Sequence, residues 1–235
     1  MDRLRATLAA SSALSPTVRH LVLRTDRPLA FSAGQWVNLH VQLPDGSEAK
    51  RPYSIANAPG PGGVSSELDI LVTHVPGGLV SPALTALEVG AEVGCDGPHG
   101  FFVREQGTTG PVLLVGTGSG LAPLRAMAQE MLADGAAAVG LLFGVRSQAD
   151  ILFREELEGW AQDHRAFRLD VTLSRPAQGW GGLRGYVQEQ LLDVIGDARP
   201  EVYICGLSPM VKAVRAVLKT QLGYDRKHVH SERYD

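Results

Sequence analysis

Hydrophobic and polar positions alternate with a period of two through the first part of the chain. In 35–43, Val37, Leu39, Val41 and Leu43 stand between Asn38, His40 and Gln42. The stretches 17–25 and 67–75 repeat the pattern, which predicts strands with one buried and one solvated face. Turn signals at Pro44-Asp45-Gly46, at 59–63 and at Gly77-Gly78 cut these strands short. Short strands with frequent turns predict an antiparallel sandwich or barrel.

From Gly110 the pattern changes. Continuous apolar runs (PVLLVG, AAVGLLFGV, FRLDVTLS, EVYICG) alternate with amphipathic stretches at 121–134, 149–164, 185–195 and 208–222, and HVHSE follows as a fifth strand. Repeated strand and helix predict a doubly wound parallel sheet covered on both faces. Ser208-Pro209 is a good helix start and Gly223 a good stop. The boundary falls near 105–110, giving expected domains 1–107 and 108–235.

The 235 residues suffice for two small domains, and 44% hydrophobic with 20% charged residues fits a globular protein. A net charge of −3 argues against a nucleic-acid partner. No apolar run approaches the ~20 residues of a membrane helix. The opening stretch has Arg3 and Arg5 before a mildly apolar run, but Ser11 and Ser12 interrupt it, and an ordinary first strand is expected. Two distant cysteines, Cys95 and Cys205, offer neither a zinc set nor the four thiolates of an iron–sulfur cluster. A reducing cytoplasm is the expected compartment.

The chemistry begins at LLVGTGSGLAPLRAM, where an apolar strand enters Gly116, Thr117, Gly118 and Gly120, and Pro123 opens a helix. Glycines let backbone approach a phosphate, and a helix start supplies free N–H groups and a positive dipole end. The spacing G-x-G-x-G differs from the dinucleotide G-x-G-x-x-G, so the loop alone is a weak signal. Ser119 has the setting of a nucleophile elbow, but a hydrolase leaves the upstream motifs unexplained. His228 and His230 share a strand face without a third ligand, so no metal is expected.

Upstream, Arg51-Pro52-Tyr53-Ser54 has the bland reading of an edge strand with a solvated arginine. Taken in order with GTGSGLAP, CGLSPM and the ending ERY, it resembles the ferredoxin–NADP reductase family over nearly the whole chain. The resemblance implies an antiparallel Greek-key flavin-binding barrel followed by a nicotinamide-binding parallel sheet. It makes Arg51 the partner of the flavin pyrophosphate, Tyr53 a flavin-packing ring, and Ser54 a hydrogen-bonding hydroxyl near the flavin atom that accepts hydride. Gly78 and Ser81 become a second phosphate contact, and Gly97-Pro98-His99-Gly100 a structural turn closing the barrel.

The same resemblance assigns the Gly116–Pro123 loop to the nicotinamide dinucleotide pyrophosphate. Ser174 and Arg175, followed by Arg184 and Tyr186, match the family's NADP-selecting residues, and Arg146 adds to that patch. NADPH and FAD are therefore the implied cofactors, although 57–66 offers no aromatic to stack on a flavin adenine. Cys205 is implied as a compact contact beside the nicotinamide, and Glu232 as a tuning and proton-relaying group. Tyr234 is implied as a ring covering the flavin from a tail that leaves the sheet; Asp235 departs from the family's usual ending.

The implied function is a monomeric flavoprotein reductase passing single electrons to a separate ferredoxin- or flavodoxin-like acceptor. A reductase supplying free reduced flavin to a monooxygenase, and an electron-transfer subunit of a larger complex, are the alternatives. Arg3, Arg5, Arg19, Arg24 and Arg27 are candidates for a basic docking face.

Overall fold

The computed structural model describes residues 3–43, 45–105 and 110–234. Six antiparallel strands come first: β1 (Leu4–Ala13), β2 (Val18–Ala30), β3 (Trp36–Gln42), β4 (Glu48–Ser54), β5 (Val64–Thr73) and β6 (Glu92–His99). A short helix, α1 (Val80–Thr85), lies between β5 and β6. The Greek-key order is β4-β3-β6-β1-β2-β5, and a bridge between Ile55 and Ile70 brings the two ends together. Closing the sheet removes edges that would otherwise expose unpaired backbone groups. Alternation fills the interior: Leu4, Ala6 and Leu8, Leu21 and Leu23, Val37, Leu39 and Val41, then Leu68, Ile70 and Val72 point into one apolar cluster.

The second sheet contains β7 (Val112–Thr117), β8 (Val139–Val145), β9 (Phe167–Leu173), β10 (Leu183–Arg184), β11 (Glu201–Leu207) and β12 (Val229–Tyr234). All are parallel, in the order β10-β9-β8-β7-β11-β12. α2 (Leu121–Ala133) and α3 (Arg154–Asp163) pack on one face, α4 (Val187–Ile195) and α5 (Ser208–Thr220) on the other. Both faces are buried, hence the continuous apolar runs.

The two sheets share a core. Val18, Ala33, Ala56, Leu71 and Phe102 from the barrel side join Leu121, Leu124 and Met127 of α2 in one cluster. On β5 the neighbours of Leu71 point into the barrel, while Leu71 itself faces α2. The helix is buried continuously from Leu121 to Ala128, between its own sheet and the barrel.

Several details differ from the pattern reading. The helix expected over 149–164 starts only at Arg154: a capping box between Ser147 and Asp150 closes a separate turn, and Phe153 sits at φ 49, outside the helical range. The expected turn at 97–100 is largely strand, for His99 pairs with Trp36. β10 and α1 were not expected; both are short, β10 lying between Gly182 and Gly185 and α1 following the turn at Gly77-Gly78. The boundary expected at 107/108, Pro44 of the first turn signal and Asp235 lie outside the described residues. Among the described residues no helix is long and apolar enough to cross a membrane.

Candidate functional site

The site is built by strand alternation where the parallel sheet meets the barrel. On β11, Val202 and Ile204 point toward α4 and α5, so Tyr203 and Cys205 face the barrel. β12 lies in register beside it, Tyr203 against His230 and Cys205 against Glu232. Leu207 pairs with Tyr234 in the same ladder, so His230, Glu232 and Tyr234 share the barrel-facing side.

This corrects one expectation. The chain does not leave the sheet as a tail after HVHSE; the ladder continues through Tyr234. The cause is the uninterrupted alternation, with Ser231 bonded to Arg215 of α5, Arg233 exposed, and Glu232 and Tyr234 turned inward. The backbone thereby holds the tyrosine that the sequence left on a free end.

From the barrel, the end of β4 delivers Ser54, 5% exposed. Its hydroxyl donates to Glu232 Oε1 at 3.2 Å and accepts from the Tyr234 hydroxyl at 2.7 Å. The tyrosine hydroxyl also lies within hydrogen-bonding reach of the Cys205 thiol. Ser54, Cys205, Glu232 and Tyr234 thus form one cluster spanning the two sheets.

Burial sets the charge state of this cluster. It raises the Glu232 carboxyl above its ordinary value, against the lowering effect of the Ser54 hydrogen bond. Burial, and then the Glu232 charge, push the Cys205 thiol far up, so it stays protonated and is not a thiolate nucleophile. Burial also holds Tyr234 well above the usual phenol range. The arrangement can donate hydrogen bonds to a ligand from the protonated thiol and phenol, and Glu232 gives up its proton at a higher pH than an ordinary carboxyl does.

The glycine loop adjoins the cluster, since Gly116 pairs with Cys205 across β7 and β11. Gly118 takes φ +53, and a Cβ on Gly120 would collide with the Cys205 carbonyl oxygen. Thr117 ends β7, and Pro123 sits in the first turn of α2, where its missing N–H costs nothing. No side chain caps α2. The Leu121 N–H turns back to the Gly118 and Ser119 carbonyls, so what the loop offers a phosphate is close backbone approach at its glycines, and in that respect it fits a dinucleotide. Ser119 accepts from Thr73 of β5 at 3.1 Å, tying the loop to the barrel.

A second group gathers at the carboxyl ends of β8, β9 and β10. Arg175 N–H donates to the Arg146 carbonyl at 2.8 Å, and Ser174 N–H to the Val145 carbonyl at 3.0 Å. Arg184 donates to the Trp180 carbonyl at 2.8 Å, while Trp180 packs in its own loop through Leu183. Arg146, Arg175 and Arg184 are exposed and have no carboxylate partner among the described residues, and Tyr186 is 61% exposed. Three exposed cations and an exposed ring at these strand ends have the chemistry to meet a phosphorylated, aromatic ligand.

On β4, Arg51 is exposed, donates to the Lys50 carbonyl at 3.2 Å, and pairs with no carboxylate among the described residues. Tyr53 packs half-buried against the barrel core, its phenol pushed up to about 12 by burial against the pull of Arg51. Gly78 precedes α1 and Ser81 stands in its first turn, and the Ser81 hydroxyl accepts the Val75 N–H at 3.1 Å. No hydrogen bond joins them to Arg51 among the described residues.

The arginines suggested as a docking face are largely engaged. Arg3 pairs with Glu48 at 2.7 Å, Arg5 with Asp26 at 3.8 Å and Arg24 with Glu67 at 3.5 Å, while Arg19 donates to Ser11 at 2.6 Å. Arg27 is also partnered. His230 stacks on Tyr203 at 4.6 Å and bonds Glu201 at 2.7 Å.

One residue escaped the sequence reading. Arg125, inside the buried face of α2, bonds Ala56 and Asp69 on the barrel side and Glu156 of α3. The signal was present: a lone charge among Leu121, Ala122, Leu124, Ala126, Met127 and Ala128 requires a buried partner.

Known proteins resemble the chain across both sheets. Residues 5–103 match the oxidoreductase FAD-binding domain and residues 114–216 the oxidoreductase NAD-binding domain. The chain is 47% identical to a ferredoxin–NADP reductase B of Sorangium cellulosum, covering 98% of this chain and 97% of that protein. It is 32% identical to the ferredoxin–NAD(P)(+) reductase component of naphthalene 1,2-dioxygenase/salicylate 5-hydroxylase systems from a Ralstonia species, over 98% of this chain and 68% of that one. The crystal structure of the Amycolatopsis cytochrome P450 reductase GcoB superposes with a TM-score of 0.88 at 30% identity, covering 99% of this chain and 69% of that chain.

Proposed function

The chain belongs to the ferredoxin–NADP reductase-like family of FAD- and NAD(P)-binding oxidoreductases, and from that premise we propose that it oxidises NADPH and delivers electrons singly to a separate ferredoxin- or flavodoxin-like protein. The observation that carries this reading is the meeting of Ser54 with Cys205, Glu232 and Tyr234, supplied by two sheets that each match a cofactor-binding domain. Bound FAD and NADPH supply the redox chemistry, a hydride passing between their rings and electrons leaving one at a time.

The residues position and shield that exchange. Arg51 neutralises the flavin pyrophosphate with a planar fork that lysine lacks, Tyr53 packs on the flavin, and Gly78 with Ser81 adds a second phosphate contact. The Gly116–Gly120 loop, with Thr117 and Pro123, takes the nicotinamide dinucleotide pyrophosphate against its glycine backbone, where a side chain would stand in the way. Arg146, Ser174, Arg175 and Arg184 take the 2′-phosphate, and Tyr186 the adenine. Ser54 would present its hydroxyl, Tyr234 would cover the flavin face, the neutral Cys205 thiol would border the nicotinamide, and Glu232 would exchange a proton through a carboxyl that burial raises.

Two buried cysteines cannot ligate an iron–sulfur cluster, so the acceptor brings its own cofactor. The Ralstonia relative is a reductase component of oxygenase systems, which favours an oxygenase component as a second candidate recipient. The protein acts as a cytoplasmic monomer in this reading. NADPH oxidation measured side by side with ferricyanide, free FMN, and a ferredoxin plus cytochrome c tests it. Turnover through the ferredoxin with FAD retained supports the proposal. Turnover only with added free flavin makes the chain a flavin reductase, and no turnover with ferricyanide defeats both readings.

A further inference from the structure

Arg125 is the charged centre of the contact between the two sheets. Its side chain is 7% exposed, and it uses every nitrogen. Nε and Nη2 donate to the two carboxylate oxygens of Glu156 on α3, at 2.7 and 2.8 Å. Nη1 donates in the other direction, to the Ala56 carbonyl at 2.7 Å and to Asp69 of β5 at 2.9 Å. The guanidinium lies 4.2 Å from the ring centroid of Phe153, the residue at φ 49.

The position of these partners gives the contact its meaning. Ala56 lies two residues beyond Ser54, and its N–H donates to the Asp69 carbonyl at 2.8 Å. One turn along α2, Gln129 accepts the Ala58 N–H at 2.9 Å. Residues four apart on a helix share a face. The helix that leads out of the glycine loop therefore grips, at two successive points, the segment that leads out of the Ser54 strand.

An arginine serving only to stabilise its own layer would need no more than Glu156. Its third arm reaches the barrel, where a planar fork can satisfy a carbonyl and a carboxylate together and an ammonium cannot hold both sides. His20 flanks Asp69 at 3.3 Å and meets Phe153 edge-on at 5.1 Å, so the far side of the contact is filled as well. α2 is thus hydrogen-bonded to this segment at Ala56 and at Ala58.

We propose that Arg125 is a positioning residue of the redox site: through Asp69 and the Ala56 carbonyl, with Gln129 beside it, it fixes the separation between the Ser54 side and the glycine-loop side. It touches neither ligand. This assignment rests on the reading of the site as a flavin–nicotinamide exchange. It predicts a specific split, in which loosening the grip disturbs transfer between the two ligands more than the binding of either.

The test compares Arg125→Met, Arg125→Lys and Asp69→Asn with wild type, all as the FAD-loaded protein. Hydrogen exchange at the Ala56 and Ala58 amides should quicken at least tenfold in Arg125→Met, while amides of β7 stay protected. Flavin reduction by NADPH should slow at least tenfold, with KM for NADPH and reduction by dithionite within about twofold of wild type. Arg125→Lys should recover part of the rate. Asp69→Asn should slow the same step, and the double variant should be no slower than Arg125→Met. If Arg125→Met does not fold, Asp69→Asn alone decides. Unchanged exchange at Ala56 and Ala58, or losses shared equally by dithionite reduction, FAD retention and thermal stability, would overturn the assignment. Were wild type unable to oxidise NADPH, the functional reading would fail, and the exchange measurement would still decide whether the grip exists.

Discussion

The Tyr234 hydroxyl donates to the Ser54 hydroxyl across 2.7 Å, joining residues 180 positions apart in the chain. One belongs to the last strand of the parallel sheet and the other to the fourth strand of the barrel. Because Tyr234 is also paired in the ladder with Leu207, its ring can swing while its backbone stays fixed.

Tyr234→Ala should therefore leave the sheet intact and free the flavin face. Oxidised nicotinamide is expected to bind more tightly and turnover to fall, since the product lingers. Titration of the oxidised cofactor by flavin difference spectra, with kcat measured alongside, checks both. Unchanged affinity and turnover would reduce Tyr234 to a structural rung.

The Cys205 thiol is buried and held protonated. Iodoacetamide should fail to label it in the native protein and label it after unfolding. Cys205→Ala should keep FAD bound and slow single-turnover flavin reduction by about tenfold, or about 1.4 kcal/mol of barrier. An unaltered reduction rate would remove the residue from the reacting site.

Glu232 links the site to pH. Burial raises its carboxyl above the ordinary 4.5, so the folded protein holds that proton more tightly than the unfolded chain. The resulting stabilisation is complete below the unfolded value and disappears as pH rises through the folded one. Urea unfolding of wild type and Glu232→Gln at successive pH values above 4.5 should show wild type losing stability relative to the variant. A difference independent of pH would contradict the raised carboxyl.

The two sheets were legible because their periodicities are clean. Val37, Leu39 and Val41 alternate into the barrel, and the flat apolar runs of β7, β8 and β11 mark strands buried on both faces. β10 was hidden because two residues between glycines carry no period, and α1 because six residues beginning beside Gly77-Gly78 read as turn. The resemblance implied that Ser54, Cys205 and Glu232 gather near the hydride-accepting atom, whereas spacing alone carries no such signal, because their meeting depends on how the sheets pack. Arg125 escaped for a different reason. Its partners Asp69 and Glu156 lie on separate elements, and no local spacing points to them.

Arg175 tests the choice of nicotinamide. Arg175→Ala removes one exposed cation from the patch with Arg146 and Arg184, and a charge-assisted hydrogen bond to phosphate contributes roughly 1.5–3 kcal/mol. kcat/KM for NADPH should drop about tenfold or more while that for NADH changes little, and raised salt should shrink the difference. Equal losses for both cofactors would remove the patch from 2′-phosphate selection.

The strand order also fixes when the site can exist. β7, the first strand made in the parallel sheet, lies in its interior, and β12, the last, lies at its rim. Synthesis at about 5–20 residues per second places roughly 9 to 36 s between the emergence of Ser54 and that of Tyr234. During that interval the nascent barrel has neither Glu232 nor Tyr234 against Ser54, and the rim strand adds both together. A chain halted before β12 keeps Ser54 but lacks both of the side chains that bond its hydroxyl.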